Sequence, residues 1–457
     1  MNGKSHFALL DADPKKGIIR LAIPMVAAFF FQTCFNLVDT FFVGKLGADA
    51  IAAVGLAFPV QMFIIAIASG LGIGAQSYIA RSYGANDTKT ASRVAEHTVI
   101  LALVVGIITS VVGLLTIEAV IGVLGAPEAA YRFSIDYLSV ILGGSIFIYM
   151  NMMLDSILRG EGDTKRPMIF MGTGALLNIV LDPIFIFTLE MGVRGAAIAT
   201  ILSRICITAA IVYFLLISSR AQTKLNMRKF RFSWPIVRRI IDVGIPASLS
   251  QVAISVVMFL MNNVLSLFGS PALATFGVGI RVESLIFMPM IGLSSAFVSA
   301  VGYFRGSGRI DQVKGIYWFC VRSLLVLMVV CGIFFYAVPD WIFRIFTDDA
   351  AVIANGVEYL RIFVFGYPLL PMSIIASAGF QGMGRGMPPL ILVIIRSGMV
   401  SLPLAYICTF ILGYGLWTVW AAITLGDILS GTIGHMWLFH YLNAELRRAS
   451  PPIPKAF

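Results

Sequence analysis

Charge is scarce in this sequence: Asp, Glu, Lys and Arg together make up 12% of its 457 residues, against roughly 25% in a soluble domain. With 59% hydrophobic residues and a mean hydropathy of +0.92, the chain has too little solvating surface for a water-soluble globule. Cysteine is also sparse. Its five copies, Cys34, Cys206, Cys320, Cys331 and Cys408, fall in apolar runs at irregular spacing, which excludes a disulfide frame and suits small buried hydrophobes. The four histidines, His6, His97, His435 and His440, lack metal-binding spacing to acidic partners. No Gly-x4-Gly-Lys-Ser/Thr loop is present, so ATP-driven export is excluded and no cofactor is expected. No cleavable leader is expected either: the start, Met1 to Pro14, is polar, and the apolar run Ile18 to Val43 is too long for a signal core.

Long apolar runs fill the rest. A span needs roughly 20 apolar residues, and twelve helices are predicted near 17–43, 49–80, 92–115, 131–158, 166–188, 194–218, 233–267, 272–301, 314–337, 351–381, 388–411 and 416–442. Basic residues sort by side. They gather on the even-numbered connections and at the termini (Lys15, Lys16, Arg81, Arg159, Lys224, Arg309 and Arg385 are examples), whereas the odd-numbered connections hold Lys45, Arg132, Arg194 and Arg344. The positive-inside rule then predicts cytoplasmic termini. The net charge of +10 is thereby read as topological, and no nucleic-acid partner is expected.

A basic connection near Ser218 to Arg239 divides the chain into halves that repeat. Pro24 matches Pro246, Gly70 matches Gly292, Gly84 matches Gly306, Gly160 matches Gly382, Gly162 matches Gly384 and Pro167 matches Pro389, each pair 222 residues apart (382 − 160 = 222). Six helices per half is an even number, so the halves are parallel repeats about an axis along the membrane normal. The expected class is an all-α integral membrane protein of twelve helices in two six-helix lobes. Its segments are an N-terminus (1–16), a first lobe (17–218), a linker (219–232), a second lobe (233–442) and a tail (443–457).

An acidic residue inside a span is costly and is a functional candidate by default. Asp39 lies in Asn36-Leu-Val-Asp39-Thr40 near the outer end of helix 1. Asp182 lies in Asn178-Ile-Val-Leu-Asp182-Pro183 at matched depth on helix 5. Thr200 enters at that depth from helix 6, and Asn178 is one turn below Asp182 on the same face. Two carboxylates in a low-dielectric site cannot both ionise cheaply, so the pair is expected to titrate jointly. The same four oxygens also suit Na⁺, and the residues leave H⁺ and Na⁺ both open. The second lobe has no copy, since 39 + 222 is Met261 and 182 + 222 is Leu404. Gln32, Phe35 and Met171 are cavity-lining candidates. Asp155 faces the cavity or caps helix 4. Glu161 belongs to a turn, as a gate or a salt bridge. Pro24 permits a bend in the helix that carries Asp39. Arg281 and Glu283 are expected to be buried and paired, and Asp427 is matched with Arg396.

Together, Asn36-Leu-Val-Asp39-Thr40, Leu158-Arg-Gly-Glu-Gly-Asp163, Asn178-Ile-Val-Leu-Asp182-Pro183 and Gly192-Val-Arg-Gly-Ala-Ala197 resemble the multidrug and toxic compound extrusion (MATE) family over essentially the whole chain. They resemble in particular the prokaryotic branch of DNA-damage-inducible protein F. The resemblance implies a V-shaped, two-lobe inner-membrane exporter, monomeric and not an enzyme, that expels organic cationic or amphipathic compounds in exchange for H⁺ or Na⁺. It implies an ion site at Asp39, Asn178, Asp182 and Thr200, and pocket contacts at Gln32, Phe35, Asp155 and Met171. Relatives often carry Tyr at the position of Phe35 and Asn at that of Asp155, so drug specificity does not carry over. A lipid-linked precursor flippase calls for a larger, more basic cavity, and an intramembrane lipid-modifying enzyme for a polar catalytic cluster; neither feature is evident in the sequence.

Overall fold

The structure is a computed structural model that describes residues 6–125, 127–218 and 221–449. Parts of the expected N-terminus (1–5), linker (219–220) and tail (450–457) lie outside the described residues. Helices follow one another as α1 (Ala8–Ala12), α2 (Pro14–Gly44), α3 (Ala48–Gly84), α4 (Thr88–Val123), α5 (Glu128–Gly143), α6 (Ser145–Gly160), α7 (Lys165–Pro183), α8 (Gly192–Ile217) and α9 (Trp234–Ser266). Then come α10 (Ser270–Gly306), α11 (Ile310–Ala337), α12 (Pro339–Arg344), α13 (Ala350–Phe363), α14 (Leu370–Gly382), α15 (Met387–Val393), α16 (Leu402–Tyr406) and α17 (Trp417–Ala449). Without water in the bilayer core, a helix satisfies its own backbone, and apolar sequence of this length has no cheaper form.

Local chemistry starts the helices. The Asp13 carboxylate accepts from the backbone N–H groups of Lys15 and Lys16, both at 3.1 Å, ahead of Pro14 at the first helical position. Asp87 caps α4 through the Thr90 N–H at 2.9 Å, and Asp349 caps α13 through Ala351 at 2.8 Å.

Among the described residues nine helices are long and apolar enough to cross a membrane, and α5 with α6 forms a tenth span bent by 49°. The pair α13–α14 and the long α17 complete the twelve. Two expected helices are therefore broken. The run 131–158 kinks at Gly144. The run 351–381 loses its ladder between Phe363 and Leu370, where Pro368 lacks a backbone donor, and restarts with Pro371 in the first turn of α14. By contrast α2 runs unbroken through Pro24. The spans show Leu37, Leu115, Val123 and Phe259 at 66–88% exposure, as side chains that face lipid should.

The 222-residue repeat is visible as symmetry. A Cβ on Gly84 would collide with the Tyr303 carbonyl, and one on Gly306 with the Arg81 carbonyl. These are the same contact seen from either lobe, since 303 − 81 and 306 − 84 both equal 222. At that point the helices α3 and α10 touch backbone to backbone. Hydrogen bonds crossing between the lobes cluster at the same end of the bundle. Gln76 donates to the Ser295 carbonyl and to Ser299 Oγ, both at 2.9 Å. Ser77 donates to the Gln381 carbonyl at 2.6 Å, and Ser299 to the Arg159 carbonyl at 2.8 Å.

The segment before α2 straps this end. Phe7 packs over Gly162 of the first lobe and stacks on Tyr303 of the second at 4.3 Å. Asp11 accepts from Tyr303 at 2.8 Å and pairs with Arg309. The lobes are thus closed against each other at one end.

Candidate ion and substrate site

Asp39 comes from α2, Asn178 and Asp182 from α7, and Thr200 from α8. Asn178 Nδ2 donates to Asp182 Oδ1 at 3.2 Å and reaches Thr200 Oγ1 at 3.5 Å. Asp182 is fully buried and Asn178 nearly so. Three oxygens in this group, Asp39 Oδ1, Asn178 Oδ1 and Asp182 Oδ2, are buried without a hydrogen-bond partner. A buried unsatisfied polar atom costs about 1–3 kcal/mol, so such a cluster is unfavourable unless something small and positive is taken up there. The donor set is all oxygen and hard, which fits a proton or Na⁺.

Two residues not singled out in the sequence complete the surroundings. Gln61 Nε2 on α3 donates to the Tyr137 hydroxyl on α5 at 2.9 Å. That hydroxyl lies within Coulombic reach of both Asp39 and Asp182, which also reach each other. A neutral Gln and Tyr carry no in-span charge to flag them, so only the fold reveals the contact.

Beneath the carboxylates lies a narrow cleft whose lining includes Gln32, Phe35, Met171, Asn178 and Thr200. Five expected residues thus meet at one cavity. Asp155 does not line it: it pairs with Arg159, Oδ2 to Nε at 3.2 Å. The cavity wall also holds Asn151, Phe170 and Arg204. Arg204 was hidden in an apolar α8 sequence, where a basic residue reads as topological.

Glu161 lies in the turn between α6 and α7, fully buried. Its Oε2 accepts from the Thr223 N–H at 2.7 Å while Oε1 has no partner. Burial pushes this carboxyl up to about 7. His6, far away in sequence, comes within 4.8 Å of the Glu161 and Asp163 carboxylates, donor atom to donor atom; Asp163 is held by Arg166.

In the second lobe, Arg396 and Asp427 do pair, Nε to Oδ1 at 3.0 Å. Glu283 is buried and accepts from Tyr367 at 3.3 Å. Arg281, expected to be buried, is exposed on α10, because it sits two positions from Glu283 and so points away from it. Of the five cysteines expected to be buried, only Cys320 is; Cys34, Cys331 and Cys408 are half-buried and Cys206 is exposed.

A sequence profile of one family, MatE, matches the chain twice, over residues 24–184 and 246–407. The two matches start 222 residues apart (246 − 24), the spacing of the repeat. The chain belongs to the MatE family. Among curated relatives, a probable multidrug resistance protein NorM of Thermotoga maritima is 32% identical over 430 residues, 92% of this chain and 91% of that protein. An FAD transporter of Shewanella oneidensis is 26% identical over 418 residues, 90% and 91% of the two chains. Among solved structures, a MOP-superfamily transporter from Pyrococcus furiosus superimposes with a TM-score of 0.93 at 36% identity, covering 98% of this chain and 99% of the other. MatE proteins are membrane transporters rather than enzymes, and this chain is a multi-pass membrane transporter that handles small molecules.

Proposed function

We propose that this MatE protein is a secondary antiporter that exports small amphipathic organic molecules, cationic ones among them, in exchange for H⁺ or Na⁺. The observation that carries this reading is the set of unpartnered buried oxygens on Asp39, Asn178 and Asp182, of which Asn178 also lines the cleft. An ion taken up there changes the charge beside the cargo, and so links the two binding events. With the positive-inside orientation, the strapped end is cytoplasmic and both termini lie inside. The conformer then opens away from the cytoplasm, ready to release cargo and accept an ion. The protein acts as a monomer in the inner membrane, with lobes 17–218 and 233–442 rocking as units about the linker 219–232, and Pro24 and Glu161 adjusting the two ends of the path. Names of relatives, one for multidrug resistance and one for FAD, support transport of organic molecules while differing in cargo.

The test uses the full chain in liposomes with an imposed pH or Na⁺ gradient and a fluorescent organic cation. Uptake driven by one gradient, and lost in Asp39→Asn and Asp182→Asn, is expected; the effective gradient identifies the ion. Gradient-driven uptake that survives both substitutions would falsify the reading.

A further inference from the structure

Arg204 is a cation that ion coupling does not use. It stands on α8 one turn past Thr200, roughly 6 Å along the axis, and lines the same cleft. Its Nη1 donates to Asn151 Oδ1 at 3.0 Å. Among the described residues no carboxylate oxygen comes within 4.0 Å of it. The acid whose charge does reach it, Asp155, is held by Arg159 at 3.2 Å. A guanidinium offers a planar fork of N–H donors, and Asn151 occupies one position of that fork.

An arginine inside a membrane lobe is costly unless paired, and this one is paired only with a neutral amide. The cleft is therefore bipolar. Asp182 lies one helical turn beyond Asn178, just outside the lining, with Asp39 within Coulombic reach of it; Arg204 lies one turn past Thr200 in the wall itself, and Phe35 and Phe170 line the same cleft.

Building on the exporter reading above, we propose that the cargo of this cleft is an amphipathic molecule bearing an anionic group, a carboxylate or phosphate, which Arg204 binds through its fork. A cationic amine on the same molecule points toward the carboxylate end. Zwitterionic and anionic amphiphiles are preferred over purely cationic ones. The charge pairing is direct: two parallel N–H···O bonds match a carboxylate or a phosphate edge, a geometry that Lys cannot reproduce. Apolar lining supplies affinity for the ring system, and the single guanidinium fixes its orientation.

The experiment compares a rhodamine ethyl ester, a cation, with its free acid, a zwitterion built on the same rings. Equilibrium binding to the purified full chain is followed by fluorescence anisotropy, and uptake is followed in liposomes under the effective ion gradient. The acid is expected to bind roughly tenfold more tightly than the ester, the scale of a charge-assisted hydrogen-bond pair. Arg204→Gln removes that preference while ester binding holds, and Arg204→Lys restores part of it. Equal binding of acid and ester, no binding of either, or an equal loss of both in Arg204→Gln overturns the proposal; an equal loss means Arg204 only ties α8 to α6 through Asn151. Thermal unfolding of each variant identifies one that fails to fold, and Arg204→Lys then carries the comparison. Uptake without gradient dependence counts against the antiporter reading alone, because the binding preference is measured with no gradient present.

Discussion

The two lobes of this protein are copies of one fold with opposite uses for their buried charge. In the first lobe Asp39 and Asp182 keep unpartnered oxygens beside the cleft that Asn178 and Thr200 line. At the matching positions the second lobe has Met261, which is buried, and Leu404. Gly174 lines the cleft of the first lobe; 222 positions on stands Arg396, whose guanidinium is paired with Asp427. The Gln61–Tyr137 contact of the first lobe falls on Glu283 and Tyr359 in the second (283 − 61 and 359 − 137 are both 222). Where one lobe leaves space beside acids without a counter-charge, the other fills it with a side chain and an internal counter-charge. A repeat supplies the scaffold twice, and substitution within it separates a site from a strut.

That contrast breaks most sharply on stability. Asp427→Ala leaves the part-exposed Arg396 guanidinium without its partner, and should cost about 1–3 kcal/mol, read as a lowered unfolding midpoint in detergent. Asp39→Asn and Asp182→Asn should leave the midpoint unchanged or raised, since they neutralise acids with no counter-charge. An equal loss from all three would mean that both lobes use their acids structurally.

On coupling the ranking reverses. Asp182→Asn and Asp39→Asn should lower gradient-driven uptake roughly 10- to 100-fold, the span of a typical coupling energy. Glu283→Gln should stay within about twofold. A comparable loss from Glu283→Gln would place working chemistry in the second lobe as well.

The turn between α6 and α7 gives a smaller, pH-dependent effect. Glu161 is buried at the sealed end and its carboxyl is pushed up to about 7, chiefly because burial penalises the ionised form. Its charge therefore costs the closed form more than an opened one in which it meets water. Closure is strongest below the ordinary carboxyl range, weakens as pH rises through about 7, and levels off above. Spin labels across the α3–α4 and α10–α11 connections should report widening over that window. Glu161→Gln should flatten the response, and an unchanged profile in that variant would assign the titration elsewhere.

Smallest is the strap. Asp11 and Arg309 are both part-exposed, and an exposed pair is worth about 0–1 kcal/mol. Asp11→Asn should therefore shift the closed fraction by only a few-fold in the same distance measurement. Phe7→Ala, which removes buried stacking on Tyr303, should shift it further.

By itself the sequence determined the class, the span count and the repeat, and it singled out Asp39, Asn178, Asp182 and Thr200, which the fold draws together. These rest on signals that are local or periodic. An apolar run of sufficient length has to cross the bilayer, a fixed offset of 222 marks duplication, and an acid within a span is too costly to be incidental. The kinks at Gly144 and before Leu370 were less legible, because hydropathy reads through a break that leaves composition unchanged. Tertiary structure alone decided that Asp155 is held by Arg159 rather than lining the cleft, and that Arg281 is exposed while Glu283 is buried. It also decided that Arg204 enters the cavity and that His6 meets Glu161 and Asp163. The Asp155–Arg159 pair is one turn of a single helix, but which of its possible partners Asp155 takes depends on the packing around it; the others depend on which element stands opposite a given face, a relation that for His6 and Asp163 spans 157 positions (163 − 6) and that no window along the chain contains. Depth in the membrane can be counted from a sequence, but the direction in which a side chain points, and what it meets there, is fixed only when the lobes pack.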